Sequence, residues 1–191
     1  MEEATITETE LTPVDKLELL PFNDDLLKRP PKPYDFNGTE DATVIKDKLL
    51  ETMKDLGGVG LSANQVGMDM AVFVIGDGQE DGMQKAFFNP EIIGINDEME
   101  SMKEGCLSFP GLWLMVKRPT IVMIKYRDEK NEEHTETYEG VTSRVIQHEY
   151  DHMIGKNFTH RVSKMKLDRA IKAVEKKIKK YQRQKKAGSQ A

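Results

Sequence analysis

The sequence predicts an α+β fold in which mainly antiparallel strands surround a central helix. Strand-like segments follow one another between residues 71 and 138 without an intervening helical pattern, which favours antiparallel pairing over alternating βαβ units. One amphipathic helical pattern precedes these strands and two follow them. The 191 residues suffice for one sizeable hydrophobic core.

The first helix is expected over residues 41–56. Its apolar residues recur on one helical face: Ile45, Leu49, Met53 and Leu56. Gly57 and Gly58 are expected to end it. The predicted strands are 71–75, 86–88, 91–95, 112–116, 121–126 and 135–138. The composition of residues 128–133 is typical of a hairpin turn.

The next helical pattern, residues 142–153, contains His148, Glu149 and His152. A spacing of four residues is just over one helical turn, so both imidazoles would lie on the same face. That arrangement lets two nitrogen ligands hold one metal ion, with Glu149 beside them as a general base for a bound water. From the motif alone, an amphipathic helix carrying two unrelated histidines remains the alternative.

A catalytic metal held by two histidines needs a third protein ligand. The longer metalloprotease pattern has Gly155 in place but Phe158 where its last histidine should be, and His160 comes two positions late. Glu175 is a second candidate, within a basic helical segment. Cys106, the only cysteine, is the third; it lies in a Gly- and Pro-containing turn and can form no intramolecular disulfide. A lone cysteine can equally be a small buried hydrophobe.

Residues 58–67 form a loop of small residues between the first helix and the first strand. Glycine permits close approach of the backbone to a ligand, but the spacing does not match a dinucleotide-binding loop. Gln65 is a polar residue in this otherwise small and apolar segment. By itself the loop would be interpreted as a turn with a satisfied glutamine.

Together, the three segments resemble the motifs of the peptide deformylase family, in the family's order. The pattern G-Φ-G-Φ-A-A-x-Q, where Φ is apolar, corresponds to residues 58–65, with Ser62 in place of the first alanine. E-G-C-Φ-S is complete at residues 104–108, and H-E-Φ-D-H occupies residues 148–152 with Tyr150 in the apolar position. The resemblance extends from about residue 19 to residue 155.

The resemblance implies a metal-dependent hydrolase that removes the N-formyl group from the formyl-methionine of newly synthesised polypeptides. Cys106, His148 and His152 would hold one divalent metal on the central helix, with a water in the fourth position. Fe²⁺ is the expected physiological ion, and Zn²⁺, Ni²⁺ or Co²⁺ are also compatible with these ligands.

The family also assigns roles around the metal. Glu149 would act as general acid and base, while the Gln65 side-chain amide and the Leu107 backbone N–H would stabilise the oxyanion. Glu104 and Arg118 match a family ion pair that braces the cysteine loop; a surface pair of little consequence is the alternative. Asp151 would orient an imidazole or be a solvated helix residue.

The methionine side chain of the substrate is expected to enter an apolar pocket. The candidate lining residues are Val59, Gly60, Val141 and Val145. Arg144 lies one turn before His148 and would run its stem along the pocket with its charge at the rim. The backbone at Gly60 is expected to pair with an extended peptide.

The C-terminal segment is strongly basic. Residues 161–186 contain 12 Lys or Arg and two acids, a net charge of +10, whereas the whole chain carries −5. A helical seam runs through Leu167, Ile171, Val174, Ile178 and Tyr181. The seam either docks on the domain with solvated lysines, or the helix contacts nucleic acid; the resemblance suggests the ribosome. We expect residues 1–160 to form the catalytic domain and residues 161–191 a C-terminal basic amphipathic helix or tail.

A cytoplasmic enzyme without a membrane segment is the expectation from composition. Charged residues make up 32% of the chain, its N-terminus is acidic, and its one cysteine is unpaired. Two other classes remain open: a zincin-type metalloprotease with a ligand other than Cys106, and a non-catalytic homologue that binds formylated peptides or ribosomes. The second would require a damaged site, yet every expected catalytic residue is present.

Overall fold

The computed structural model describes residues 17–77 and 82–188, with side chains as far as residue 185. The acidic N-terminus lies outside the described residues. The helices are α1 (Ala42–Asp55), α2 (Gly140–Met153) and α3 (Lys164–Gly188). The strands are β1 (Gly60–Ser62), β2 (Val72–Gly76), β3 (Gln84–Ile95), β4 (Met99–Glu104), β5 (Leu114–Pro119), β6 (Ile121–Arg127) and β7 (Glu133–Glu139). Short 3₁₀ turns cover Asp25–Lys28, Ala63–Val66 and Phe158–Arg161.

The described strands form one sheet in the order β1-β2-β3-β6-β7 and a separate hairpin of β4 and β5. Every pair is antiparallel. The hydrophobic core between α2 and the sheet contains Ile146 of the helix and Phe73, Phe87 and Ile124 of the strands. The predicted α+β class with mainly antiparallel sheets and a central helix is therefore confirmed.

The boundaries of α1 agree with the prediction to within a residue. The Asp41 side chain caps the helix by accepting hydrogen bonds from the backbone N–H groups of Thr43 and Val44 at 2.8 and 3.1 Å. At the other end Gly57 has a φ of +67°, a conformation that favours glycine. Leu56 was expected on the buried face, but it is the C-terminal cap and is 40% exposed.

Several strand predictions need correction. Residues 86–88 and 91–95 belong to one strand, β3, whose pairing with β6 shifts register between Phe88 and Glu91. The strand expected at 112–116 begins two residues later and continues to Pro119. Sequence patterns missed β1, which is too short, and β4, most of whose side chains face solvent and therefore do not alternate.

Helix α3 docks on the β4–β5 hairpin through its first half only. Leu167, Ala170 and Val174 pack against a cluster of Leu112, Leu114, Val116 and Phe158, whereas Ile178 and Tyr181 are 50% and 66% exposed. The expected docking of the seam is therefore correct for Leu167 and Val174, whereas Ile171 between them is 40% exposed. In the described part of the chain, no helix combines the length and the hydropathy that crossing a membrane would require.

Candidate metal centre

Cys106, His148 and His152 converge between helix α2 and the turn after β4. Helix α2 presents both histidines, and Cys106 lies in the turn after β4, where its carbonyl accepts a hydrogen bond from the N–H of Phe109 at 2.9 Å. The potential ligand atoms of the three residues all lie within 4.8 Å of one another, and Cys106 Sγ is 3.6 Å from His152 Nε2. The structure thus brings together the three ligands that the resemblance implied.

These residues fit a divalent metal ion. One thiolate and two imidazoles are a borderline-soft donor set that suits Zn²⁺, Fe²⁺, Co²⁺ or Ni²⁺. His148 and His152 are 7% and 1% exposed and Cys106 is partly buried, so two buried imidazoles lie close to one thiol. Of the other two candidates, His160 and Glu175 are both exposed, and neither belongs to this group.

Glu104 fixes the orientation of His148. Its Oε2 lies 3.0 Å from His148 Nδ1, an arrangement that leaves Nε2 of the same ring for a metal. The same carboxylate accepts hydrogen bonds from Nε and Nη2 of Arg118 at 2.7 and 2.8 Å. Both side chains are buried, Glu104 at 5% and Arg118 at 2% exposure, so this is not a surface ion pair.

Burial and neighbouring charges shift the pKa values of the site. Burial lowers the pKa of His148, but hydrogen bonds with Cys106 and Glu104 raise it to about 10. Burial and the charge of His148 lower the pKa of His152 to about 3. Burial raises the pKa of Glu104, but hydrogen bonds from Arg118 and His148 lower it to about 2. Glu104 is therefore an ionised acceptor for His148. Metal binding requires neutral imidazoles, so a bound cation would displace the proton of His148.

Glu149 lies beside the ligands on the inner side of α2. Burial raises its pKa to about 7 against the opposing charges of His148 and Arg118. Among the described residues its Oε2 has no hydrogen-bond partner. A buried carboxyl group with a free oxygen and a pKa near neutrality can accept and return a proton.

Gln65 points its amide at the cysteine. Its Oε1 accepts hydrogen bonds from the N–H and the hydroxyl of Ser62 at 3.0 and 2.8 Å. This orientation directs Nε2 towards Ser108 Oγ at 3.0 Å and Cys106 Sγ at 3.4 Å. Leu107 follows the cysteine, and its side chain lies so close to Gly58 that a Cβ there would be 2.8 Å from Leu107 Cδ1. The loop of small residues therefore borders the cysteine turn.

The expected substrate-binding residues differ in their surroundings. Val59 and Val141 are 50% and 64% exposed, while Val145 packs at the edge of the core between α2 and the sheet. Gly60 is buried against Glu149. Arg144 is the one whose expected placement is wrong: its guanidinium is buried and hydrogen-bonded to Glu104, so its charge does not lie at a rim.

Asp151 has a different role from either one expected. Its side chain is fully buried and pairs with Arg118 at 2.9 Å and with Arg161. Sequence reasoning missed Arg161, Ser108 and the part played by Ser62. The spacing of Ser62 and Gln65 does match a capping box, which is a recognisable local signal. Arg161, by contrast, reaches Asp151 from a 3₁₀ turn ten residues further along the chain, and no local sequence pattern indicates that contact.

Comparison with known proteins agrees with this geometry. The model of the family described as "Polypeptide deformylase" matches residues 16–168. A peptide deformylase of Hyphomonas neptunium is 38% identical over 162 residues, which cover 83% of this chain and 92% of the relative. One from Pseudothermotoga lettingae is 39% identical, covering 74% of this chain and 79% of the relative.

Solved structures give the same result. A plant peptide deformylase superimposes with a TM-score of 0.78 at 32% identity, covering 88% of this chain and 92% of that one. A peptide deformylase from Synechococcus elongatus in complex with actinonin superimposes with a TM-score of 0.77 at 33% identity, covering 82% and 86% of the two chains.

Proposed function

The chain belongs to the peptide deformylase family, and from this premise we propose which of its residues remove the N-formyl group from formylated nascent peptides. The observation that carries the proposal is the convergence of Cys106, His148 and His152 beside the free oxygen of Glu149 and the amide of Gln65. A set of metal ligands, a proton acceptor and an oxyanion donor are thereby brought together in one site.

Cys106, His148 and His152 hold the divalent metal, which is expected of the family. When bound, the metal supplies Lewis acidity, polarising the formyl carbonyl and lowering the pKa of water. We further propose Fe²⁺ as the physiological ion, because the donor set accepts it and the family resemblance implies it. Metal analysis of protein purified anaerobically tests this choice.

Glu149 acts as the general base and general acid of the reaction. Its carboxylate takes one proton from the attacking water as the new C–O bond to the formyl carbon forms. It then returns that proton to the amide nitrogen as the C–N bond breaks, releasing formate and the free amine of methionine. Its burial and its partnerless Oε2 among the described groups support this role.

Gln65 and Leu107 stabilise the negative charge that develops on the formyl oxygen. Nε2 of Gln65, which lies 3.4 Å from Cys106 Sγ, and the backbone N–H of Leu107 would donate hydrogen bonds to this oxygen. Ser62 holds the glutamine amide in orientation before substrate arrives. Preorganised donors of this kind contribute about 3–4 kcal/mol each to transition-state stabilisation.

The peptide binds along the loop of small residues. We propose that the backbone at Gly60 pairs with the extended substrate and that Val59, Val141 and Val145 contact the methionine side chain. The exposure of Val59 and Val141 supports access from solvent. Arg144 is left out of this set because its guanidinium has protein partners.

The test is formate release from formyl-Met-Ala-Ser by anaerobically purified protein, with metal content measured on the same sample. Acetyl-Met-Ala-Ser is the matched control peptide. We expect formate release that stops on chelation and returns when Fe²⁺ is added. A fully metallated protein that releases no formate would contradict the proposal, and cleavage of a peptide bond instead would favour the metalloprotease alternative.

We also propose that the outer half of α3 contacts ribosomal RNA. Its described side chains, at residues 176–185, are exposed and rich in lysine, and clustered cations displace counterions from nucleic acid. A chain ending after residue 175 retains the docked residues Leu167, Ala170 and Val174 and serves as the test. Cosedimentation with ribosomes should be lost in the shortened chain while formate release is unchanged; equal cosedimentation would contradict the contact. We propose as well a catalytic domain at residues 1–160 and a tail at 161–191, which the charge contrast between the two segments supports. A cytoplasmic location is proposed because the single cysteine is free.

A further inference from the structure

Arg144 lies on α2, one helical turn before His148, and it is 7% exposed. Its Nη1 donates to Glu104 Oε1 at 3.0 Å and to the carbonyl of Val116 at 3.1 Å. Its Nη2 donates to the carbonyl of Glu100 at 2.8 Å. One guanidinium thus joins α2 to both strands of the β4–β5 hairpin, which carries the cysteine turn.

The Glu104 carboxylate is fully saturated only with Arg144 present. Its Oε1 accepts from Arg118 and Arg144, and its Oε2 accepts from Arg118 and His148. An ionised carboxylate offers about four acceptor positions, and all four are used. Without Arg144, one position on Oε1 would be empty, and only Arg118 and His148 would hold the carboxylate.

The buried charges lead to the same conclusion. Glu104 has two buried guanidinium partners, Arg118 and Arg144, but Arg118 also pairs with Asp151, which has a second partner in the half-exposed Arg161. Removing Arg144 leaves the buried Glu104 carboxylate with a single guanidinium that it shares with Asp151, and weaker compensation of a buried charge is unfavourable. The carboxylate affected is that of Glu104, which is the group that orients His148.

We propose that Arg144 is a positioning residue that acts on His148 through Glu104 and thereby slows loss of the metal. The inference rests on the proposed function of Cys106, His148 and His152 as metal ligands. Partners that orient a metal ligand typically change metal affinity 10- to 100-fold when they are removed. The three hydrogen bonds leave two separate nitrogens of one planar guanidinium and reach both strands of the hairpin, a geometry that the single ammonium of lysine cannot fully reproduce.

The experiment measures dissociation of Co²⁺ from the full chain. Protein loaded with Co²⁺ is mixed with excess chelator, and the thiolate-to-cobalt absorption is followed in time, without substrate. We expect Arg144→Met to release cobalt at least about 10-fold faster than the unchanged protein, and Arg144→Lys to be intermediate. Arg127→Met, which removes a half-exposed arginine of the β6–β7 hairpin, is the matched control and should be unchanged.

A double-mutant cycle with Glu104→Gln separates positioning from general support of the fold. If Arg144 acts through Glu104, adding Arg144→Met to Glu104→Gln causes little further acceleration. Full additivity of the two effects, or an Arg144→Met rate equal to that of the unchanged protein, would overturn the proposal. If the double variant does not fold, the cobalt dissociation rate of Arg144→Lys still tests the proposal, because it is expected to be intermediate.

The outcomes distinguish this inference from the proposed function beneath it. If the unchanged protein shows no thiolate-to-cobalt absorption, the ligand assignment itself is wrong. If that absorption is present but Arg144→Met dissociates no faster, only the role of Arg144 fails. In deformylation assays at saturating metal, the positioning role predicts a lower kcat with KM unchanged, because no peptide contact is removed.

Discussion

A methyl group on Gly60 would lie 2.5 Å from Oε1 of Glu149 and 3.0 Å from its Cγ. The space left by the missing side chain of the glycine on β1 is therefore occupied by the carboxylate of α2. The first glycine of the same loop, Gly58, leaves space for Leu107 in a similar way, at 2.8 Å. These close approaches explain why small residues are needed where the loop meets α2 and the cysteine turn.

Gly60→Ala should lower deformylation by about 100-fold while leaving the bound metal in place. The added methyl group forces Glu149 away from its present position, and a displacement of about 1 Å in a catalytic group can cost this factor. The measurement is kcat for formate release together with metal content. Gly94→Ala is the control, since its methyl group would meet Met123 at an ordinary 3.5 Å. Unimpaired turnover in Gly60→Ala would show that Glu149 has freedom that the structure does not indicate.

Glu149→Gln should reduce turnover by about 10²–10⁴-fold without loss of metal, because the amide cannot accept the proton of water. Its free energy of unfolding should not fall. The carboxyl group is buried and its Oε2 has no partner among the described residues, so an uncharged isostere removes a desolvation cost. Urea unfolding and formate release on the same preparation check both parts. A marked loss of stability would mean that Glu149 has a structural role.

Ser62→Ala should have a much smaller effect than Gln65→Leu. The serine hydroxyl is one of two donors to Gln65 Oε1, and the backbone N–H remains after the change, so we expect a decrease in kcat of less than about 10-fold. Gln65→Leu removes the proposed donor itself and should cost about 10²–10³-fold. Comparison of the two kcat values separates orientation from donation. Equal losses would indicate that the hydroxyl contributes more than orientation.

Local patterns predicted some features of this protein well. The helix at 142–153 was expected within two residues of its observed start because apolar periodicity is a property of the segment itself. The two histidines followed from the same periodicity. The third ligand could not be chosen from the residues alone, since Cys106, His160 and Glu175 all remained open. The family resemblance selected Cys106, and the packing of the β4–β5 hairpin brings it to the helix.

Arg144 shows the limit of such patterns. A helical projection correctly placed it on the inner side of α2, but not beside its partner, because Glu104 is 40 residues away on another element. Strand β4 escaped notice for a related reason: one face of the hairpin is exposed, so its residues have no alternating hydropathy. Contacts that depend on the packing of distant elements are not encoded in local periodicity.

The half-buried ion pair of Lys85 and Glu136 on the sheet should make stability depend on pH. Burial raises the pKa of Glu136, but hydrogen bonds from Lys85, Tyr138 and Tyr126 lower it below its usual value. A carboxyl group whose pKa is lower in the folded state stabilises the fold above its unfolded pKa, and this contribution is lost as pH falls through the folded pKa. The contribution should therefore be complete at pH 7 and shrink below about pH 4.

Lys85→Met should accordingly be less stable at neutral pH by about 0.5–1 kcal/mol, a value reduced by solvent screening because both side chains are about one-third exposed. The difference should narrow in acid. Urea unfolding at pH 7 and below pH 4 measures it. Lys125→Met removes a more exposed pair with Glu133 and should show a smaller difference at both pH values. A gap that widens in acid would contradict the assigned sign.

The docked half of α3 should matter to stability far more than its outer half. Leu167 packs on the cluster of Leu112, Leu114, Val116 and Phe158, and the Phe158 ring lies 5.6 Å from the His148 ring. Leu167→Ala should cost about 1–2 kcal/mol, less than for a fully buried leucine because it is only partly covered. Ile178→Ala, on the exposed part of the same seam, should stay within about 0.5 kcal/mol. Urea unfolding at one saturating metal concentration makes the comparison, since bound metal adds to stability. Equal effects would mean that the seam is covered along its whole length in solution, which the half-exposed Ile178 argues against.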